Sequence, residues 1–357
     1  MTLGADARAV LLVGGDGFLG SHVARALLAA GRQVTTLSRG THAPVPGAER
    51  LIADRRDGAS LAEVLSGRRF DLTVDLAAYD ARDVETLWHV PGAVLGRTIL
   101  ISSGQVYMVT ESRKRIFREP DSRRPVLREP ATDSTDHPQW VYGVGKRSAE
   151  AALLALRRHQ GVRALVLRLP VVQGEGDPTL RLWAWLERML DGGPVLLPDD
   201  GARATRFLDA ADAGALIERV AGGAWPGGAF YNLAAPRVTS LRRFLTLAAR
   251  AAGVTPEFVS VPAAEMPGLG LRFEAWPFAG RWSSVLDPAR AQREWGFAGT
   301  PPDVYLPRVV RAHLERRPAE SHHGYVQRAA ELAAAEHLRA AASRGGSGGP
   351  GSELGIA

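Results

Sequence analysis

The sequence predicts an α/β fold: a doubly wound parallel sheet with a smaller C-terminal substrate-binding lobe. Three observations lead there. Up to about residue 170, short apolar runs alternate with amphipathic stretches, a pattern that implies parallel strands joined by right-handed crossovers. The first apolar run ends in a cluster of glycines, Gly14, Gly15, Gly17 and Gly20. Beyond residue 175 the alternation loosens into pieces separated by proline-rich connections, the mark of a second, smaller lobe.

Taken in order, residues 9–13 form a strand. Over 18–30, Leu19, Val23, Leu27 and Ala30 share a helical face, and Gly31 is placed to end it. Strands follow at 33–38 and 50–53, a helix at 61–65, and strands at 70–77 and 97–102. A long helix covers 141–159 and a sixth strand 162–169. In the lobe, a helix over 181–190 contains Trp183 and Trp185, and a short strand ends at Phe207 and Leu208. A helix over 210–220, a strand over 230–233 and a helix over 241–252 complete it. A terminal helix spans 318–342, broken near Gly324, and the glycine- and serine-rich residues 343–357 read as disordered.

Composition bounds the function. The chain has 357 residues, 45% hydrophobic and 23% charged, ordinary for a soluble globular protein with ample core. With no cysteine, disulfides and thiolate metal sites are excluded. There is no signal-peptide pattern and no apolar run approaching the roughly 18 residues of a membrane span, so a cytoplasmic protein without a membrane partner is expected. The net charge of +6 comes from arginine and suits a phosphorylated small molecule; it does not by itself call for nucleic acid. No histidine spacing suits a metal, since His322 and His323 are adjacent. The segment 111–129 carries seven basic and four acidic residues without periodicity. It reads as a solvated surface loop or, more sharply, as a basic flap over an anionic substrate.

Gly15, Gly17 and Gly20 match G-x-G-x-x-G, and Gly14, Gly17 and Gly20 match the wider G-x-x-G-x-x-G. Between a strand and a helix, such a turn lets the backbone approach a pyrophosphate, and the helix start presents free N–H groups to it. The N-terminal half is thus a Rossmann-like dinucleotide-binding domain, residues 1–175, followed by a substrate lobe over 176–317 intertwined with it. Phe18 and Leu19 belong to the same turn. At the end of the second strand, where an acid favours NAD, stand Ser38 and Arg39. Arginine pairs with a 2′-phosphate, so NADP is preferred over NAD. Asp54, with Arg55 beside it, closes the third strand at the place that meets the adenine. Asp16 is an acid inside a phosphate-binding turn, where its side chain is expected to point outward or cap the helix.

Tyr142 and Lys146 form a Tyr-x-x-x-Lys pair, one face of a helix. A neighbouring ammonium favours phenolate and makes the phenol a usable acid/base. Ser103, at the end of the fifth strand, is placed to donate a hydrogen bond to the reacting oxygen.

The glycine motif, Ser102-Ser103-x-x-Val106-Tyr107, Tyr142-Gly143-x-Gly145-Lys146 and Arg168-Leu169-Pro170 before Gly174-Glu175-Gly176-Asp177 occur in one order. Together they resemble the extended short-chain dehydrogenase/reductases, the NAD-dependent epimerase/dehydratase family, over residues 8–315. The resemblance implies a Ser103–Tyr142–Lys146 catalytic triad and Gly14, Gly17 and Gly20 at the pyrophosphate. It implies Leu76, Ala77 and Ala78 beside the cofactor, and Pro170 and Val171 near the nicotinamide. It also implies a nucleotide-linked small-molecule substrate, for which Gln105, Arg206 and Arg281 are candidate ligands, the arginines by bidentate pairing with a diphosphate. Gly104 and Gln105 replace the Asp-Glu pair of 4,6-dehydratases, which argues against water elimination. Epimerisation and net reduction both fit, as does a homodimer. The alternatives from other classes are RNA binding through the 111–129 segment and redox sensing by the same fold.

Overall fold

The computed structural model describes residues 6–112 and 116–345. A seven-stranded sheet is built from β1 (Ala9–Val13), β2 (Gln33–Ser38), β3 (Glu49–Ile52), β4 (Leu72–Asp75), β5 (Arg97–Ser103), β6 (Ala164–Leu169) and the strand Phe230–Asn232. Across the sheet the order is Phe230–Asn232, β6, β5, β4, β1, β2, β3, and the pairings are parallel. The order reverses at β1, where Val10 lies opposite Val34 of β2 on one side and Leu72 of β4 on the other. Ligands of doubly wound sheets bind beyond the carboxyl ends of the strands at such a reversal.

Alternation along each strand sends successive residues to opposite faces. Val10 and Leu12 join Val34, Val74, Ile99 and Leu165 in one core. Val23 and Leu27 of α1 (Phe18–Ala29) cover it, together with Leu216 and Ile217 of the helix Ala210–Ala221. Leu11 and Val13 turn to the other face, against Leu61 and Leu65 of α2 (Gly58–Leu65) and Leu87 of α3 (Ala81–Trp88). β5 passes through Gly104 into one helical turn, α4 (Gln105–Met108). Leu100 and Val166 pack under Ala149 and Leu153 of the long α5 (His137–Gln160). Burial on both faces explains why these strands read as continuous apolar runs.

Several boundaries differ from expectation, each for a local reason. The strand expected over 70–77 stops at Asp75, whose carboxylate accepts from the amides of Ala77 and Ala78 (3.0 and 2.9 Å) and turns the chain. α5 starts at His137 rather than 141, with Pro138 in its first turn, where a proline replaces an amide that has no helical partner. α2 starts at Gly58, capped by the Asp57 side chain. α3 and the helix Pro302–Glu315 are additions to the expected elements. The terminal helix is Arg328–Gly345 after a 3₁₀ turn at His323–Gln327, so residues 318–322 are not helical. Of the tail 343–357, residues 346–357 lie outside the described residues.

Two compact units interleave along the chain. The first holds residues 6–178, 205–238 and 282–305; the second holds 179–204, 239–281 and 306–345. A division at 175 and 317 therefore misses two returns of the chain to the first unit. The sheet needs both: in the first, Phe230–Asn232 pairs with β6 and Ala210–Ala221 covers the core over β1, and the second brings Ala291, Trp295 and Phe297 into the same core. In the second unit, Val195–Pro198 pairs with Phe258–Val261. There Arg188 donates to Glu331 through Nε (2.8 Å) and Nη2 (2.6 Å), and this buried pair anchors the terminal helix.

A buried polar cluster pins β5, β6 and α5 together. Ser102 Oγ donates to Glu150 Oε1 (2.6 Å). Arg168 donates to the same carboxylate through Nε (2.8 Å) and Nη2 (2.6 Å). Arg168 Nη1 donates to the Tyr107 hydroxyl (2.8 Å), which donates to Asn232 Oδ1 (2.7 Å). With Arg168 1% and Glu150 5% exposed, losing one charge strands the other in the interior. Glu150→Gln is expected to lower the unfolding free energy by about 3 kcal/mol. Urea unfolding of variant and wild type checks this, and coincident midpoints would show that the cluster does not hold the sheet.

Candidate active site

The glycine turn closes β1. Gly14 takes a left-handed φ of +82° while its amide donates to Leu37 O (2.7 Å). A Cβ on Gly20 would lie 2.2 Å from Gly14 O, so α1 can start this close to β1 only without one. Gly17 precedes α1 and offers no side-chain cap, which leaves first-turn amides for an anion. Phe18 lies against Gly174 and the His22 ring, and Leu19 packs on the sheet core.

Asp16 neither caps the helix nor points outward. Its side chain is fully buried, and Oδ2 accepts from Ser38 Oγ (2.7 Å) and Arg50 Nε (2.9 Å). Arg50 Nη2 also donates to His42 O (2.6 Å). The acid thus ties the glycine turn to β2 and β3. Arg39 is exposed and forms no ion pair among the described residues.

Asp54 is exposed, with Oδ1 accepting from the Arg56 amide (2.9 Å). Arg55 departs from the cofactor role expected of it. Its guanidinium forms a bidentate pair with Asp75 (2.7 and 2.9 Å) and donates to Asp83 O (2.6 Å). Burial alone would raise the Asp83 carboxyl, but Arg56, the Tyr79 amide and Arg55 outweigh it and hold it below the usual range. This cluster braces the loop Leu76, Ala77, Ala78. Leu76 N donates to Val13 O (3.0 Å), and the Ala77 side chain lies where a Cβ on Gly14 would come within 2.9 Å. Glycine turn and loop are therefore adjacent.

Ser103 ends β5. Its hydroxyl oxygen accepts from the Gln105 amide (3.2 Å), which leaves its O–H to donate elsewhere. Gln105 is buried and donates to Gln139 Oε1 (3.2 Å). The two glycines of Tyr142-Gly143-Val144-Gly145-Lys146 let α5 approach closely. A Cβ at Gly143 would come 2.9 Å from Gln105 O, and one at Gly145 2.7 Å from Tyr79 O. So seated, Lys146 Nζ donates to Ala78 O (2.7 Å) and Ile101 O (3.0 Å), bridging the ends of β4 and β5. It lies 5.8 Å from the Tyr142 ring centroid and 5.5 Å from that of Tyr79. After β6, Leu169 O accepts from Gly104 N (2.7 Å), which sets Pro170 near the end of β5, and Val171 O accepts from Leu208 N (3.1 Å).

Of the expected substrate ligands, Arg206 is engaged by the chain itself. Arg206 donates through Nε to Ala235 O (2.8 Å), through Nη1 to Leu286 O (3.0 Å) and through Nη2 to Pro236 O (2.7 Å). It is a strap between chain segments. Arg281 belongs to the second unit. The 111–129 segment is no free loop either, although its residues 113–115 lie outside the described residues. Phe117 is buried and stacks on Tyr107 at 5.2 Å. Glu119 Oε1 accepts from Asn232 N (3.0 Å), and Ser122 O accepts from Arg147. Glu150, Asp75 and Tyr79 were not among the expected site residues. Glu150 stands one helical turn beyond Lys146, a signal available in the spacing.

A profile of the NAD dependent epimerase/dehydratase family matches residues 10–234. The chain belongs to that family. A 2′-dehydrokanamycin reductase from Streptomyces kanamyceticus is 28% identical over 289 residues, 79% of this chain and 77% of that protein. Among solved structures, a UDP-glucose 4-epimerase from Thermotoga maritima superposes with a TM-score of 0.67 at 20% identity, covering 87% of this chain and 99% of that one. DesIV, a dTDP-glucose 4,6-dehydratase from Streptomyces venezuelae, gives 0.63 at 21%, covering 86% and 97%. At these identities the structures show the shared fold. The family's nicotinamide dinucleotide fits the residues present: uncapped amides at α1, a glycine turn whose one side chain, Asp16, is turned to Ser38 and Arg50, and a third N–H on Lys146.

In this family setting the charge of Lys146 matters. Burial, the largest influence, pushes its ammonium down to about 8; Arg55 pushes the same way, while Asp75, Glu150 and Asp83 pull it up. The unfolded chain holds that proton up to about 10.5. Between the two values the unfolded state binds more protons, so stability rises with pH. Relative to Lys146→Met, wild-type stability should gain about 2 kcal/mol from about pH 7 to about pH 9.5. Urea unfolding at both pH values checks this; parallel pH dependence of the two proteins would contradict it.

Proposed function

We propose that the chain is an NADP-dependent reductase of ketones carried on sugar rings, with Ser103, Tyr142 and Lys146 as its working groups. The observation that carries the reading is the Lys146 ammonium beside the Tyr142 ring, bridging the carboxyl ends of β4 and β5. A bound nicotinamide supplies the hydride. Tyr142 gives its hydroxyl proton to the carbonyl oxygen as it becomes an alcohol, and Lys146 favours the phenolate left behind. The O–H of Ser103 steadies the same oxygen. Lys146, Leu76, Ala77, Ala78, Pro170 and Val171 stand by the nicotinamide half, and Gly14, Gly17 and Gly20 by the pyrophosphate.

For the cofactor, exposed Arg39 is free to meet a 2′-phosphate, and Arg50 already answers the charge of Asp16. Water elimination lacks its acid and base at Gly104 and Gln105. A Cβ at Gly104 would fall 2.0 Å from Ser284 Oγ, so a carboxylate has no room there. The structural neighbours named for nucleotide sugars favour a nucleotide-linked substrate. A second reading, a sugar ketone within a glycoside, is favoured by the reductase relative and by the engaged state of Arg206.

The test is NADPH oxidation with a UDP-linked 4-keto-hexose, with 2′-dehydrokanamycin and with 2,3-butanedione. Tyr142→Phe is expected to lower kcat by about 10²–10⁴ while NADPH binding, followed by fluorescence, persists. Equal loss of both would rule out the proton-transfer role. Arg39→Asn should move the NADPH/NADH preference towards NADH by about tenfold. An unchanged ratio of kcat/KM values would overturn the NADP assignment.

A further inference from the structure

Tyr79 is an aromatic residue left 57% exposed, directly after the loop Leu76, Ala77, Ala78. Its backbone is held from both sides. The amide donates to Asp83 Oδ2 (2.7 Å), and Asp83 is itself gripped by Arg56 Nε (2.9 Å). The carbonyl lies against α5 so closely that only glycine fits at position 145. The ring meets Tyr142 edge to face, with centroids 5.9 Å apart and planes at 62°, and the Lys146 ammonium stands 5.5 Å from its centre.

Contacts with Tyr142 and Lys146 account for one side of the ring and leave its exposed surface unexplained. A ring with that much surface in water forgoes most of the stabilisation that burial would bring. Yet it is fixed beside the phenol assigned to proton transfer. Fixed, exposed aromatic rings suit recognition, because they offer a broad contact face at little cost in conformational entropy. A pyranose ring has a matching surface, the face of C–H groups between its hydroxyls; an acyclic ketone has none. Resting on the ring-ketone reading above, we infer that Tyr79 is the wall against which the C–H face of the substrate's sugar ring lies. It thereby selects ring ketones and sets which ring carbon is presented to Tyr142.

The experiment compares wild type, Tyr79→Phe and Tyr79→Ala as full chains with NADPH. The ring ketones are the UDP-linked 4-keto-hexose and 2′-dehydrokanamycin, and 2,3-butanedione is the ring-free control. The quantity read is the ratio of kcat/KM for ring ketone over butanedione. Tyr79→Ala should lower that ratio about tenfold, mainly through KM, and Tyr79→Phe should keep it. An unchanged ratio in Tyr79→Ala overturns the proposal. So does an equal loss on all three ketones with a displaced pH profile of kcat, which would place Tyr79 behind Tyr142 and Lys146 instead of against the substrate. A wild type that reduces butanedione but no ring ketone also overturns it and leaves a reductase. A wild type that oxidises NADPH with none of them sinks the reductase reading itself.

Discussion

The ammonium of Lys146 sits 2.7 Å from Ala78 O and 3.0 Å from Ile101 O, with almost no solvent contact, and the layout of the site follows from holding it there. An isolated ammonium in a protein interior costs several kcal/mol. Here two carbonyls at strand ends, the faces of Tyr79 and Tyr142, and the carboxylates of Asp75 and Glu150 offset that cost. Each of these partners must itself be fixed. Arg55 fixes Asp75, Arg168 fixes Glu150, and the glycines at 143 and 145 allow α5 to come near enough for the lysine to reach. Burial still pulls the ammonium down to about 8, so it keeps most of its charge at neutral pH and loses it as the pH rises past that value.

Much of this was legible in the residues. The strands up to β6, with α1, α2 and α5, follow from apolar runs and helical periodicity, since strands buried on both faces leave little ambiguity. The motifs that hold Gly14, Gly17 and Gly20, the Leu76, Ala77, Ala78 loop, Ser103, Tyr142 and Lys146 are visible in the sequence. The structure sets the loop against the glycine turn and brings Tyr142 and Lys146 together. What escaped the sequence is non-local. α3 is short and carries only Val84 and Leu87 as buried apolar residues. The return of 205–238 to the sheet depends on an open strand edge at β6, which no local pattern announces. Tyr79 could not be separated from ordinary core aromatics until its exposure was known.

The arginines show the same limit from the other side. A guanidinium looks identical in sequence whether it binds a diphosphate or ties the chain to itself, because planar donors serve carboxylates, phosphates and carbonyls alike. Arg55, Arg168, Arg188 and Arg206 all serve the chain, three of them through carboxylates and the last through carbonyls. Much of the arginine behind the net charge of +6 is therefore internal scaffolding, and overall basicity is a poor guide to partners here. Among the described residues of the 111–129 segment, Phe117 and Glu119 tie it to Tyr107 and Asn232.

The acid in the glycine turn is resolved by the same accounting of charge. Asp16 brings a negative charge to a place suited to phosphate, but Arg50 returns it to neutrality at 2.9 Å, and the two are joined across β1, β2 and β3 rather than towards the turn's amides. Ser38 gives its only hydroxyl proton to Asp16, so it has none left for a phosphate. On the proposed NADP preference, a 2′-phosphate would be met by Arg39, the one member of the Asp16, Ser38, Arg39 and Arg50 group without a committed partner among the described residues. A single exposed guanidinium binds a phosphate with modest, salt-screened strength. Under that proposal the discrimination is a preference between two dinucleotides rather than an absolute choice, and it should weaken as ionic strength rises.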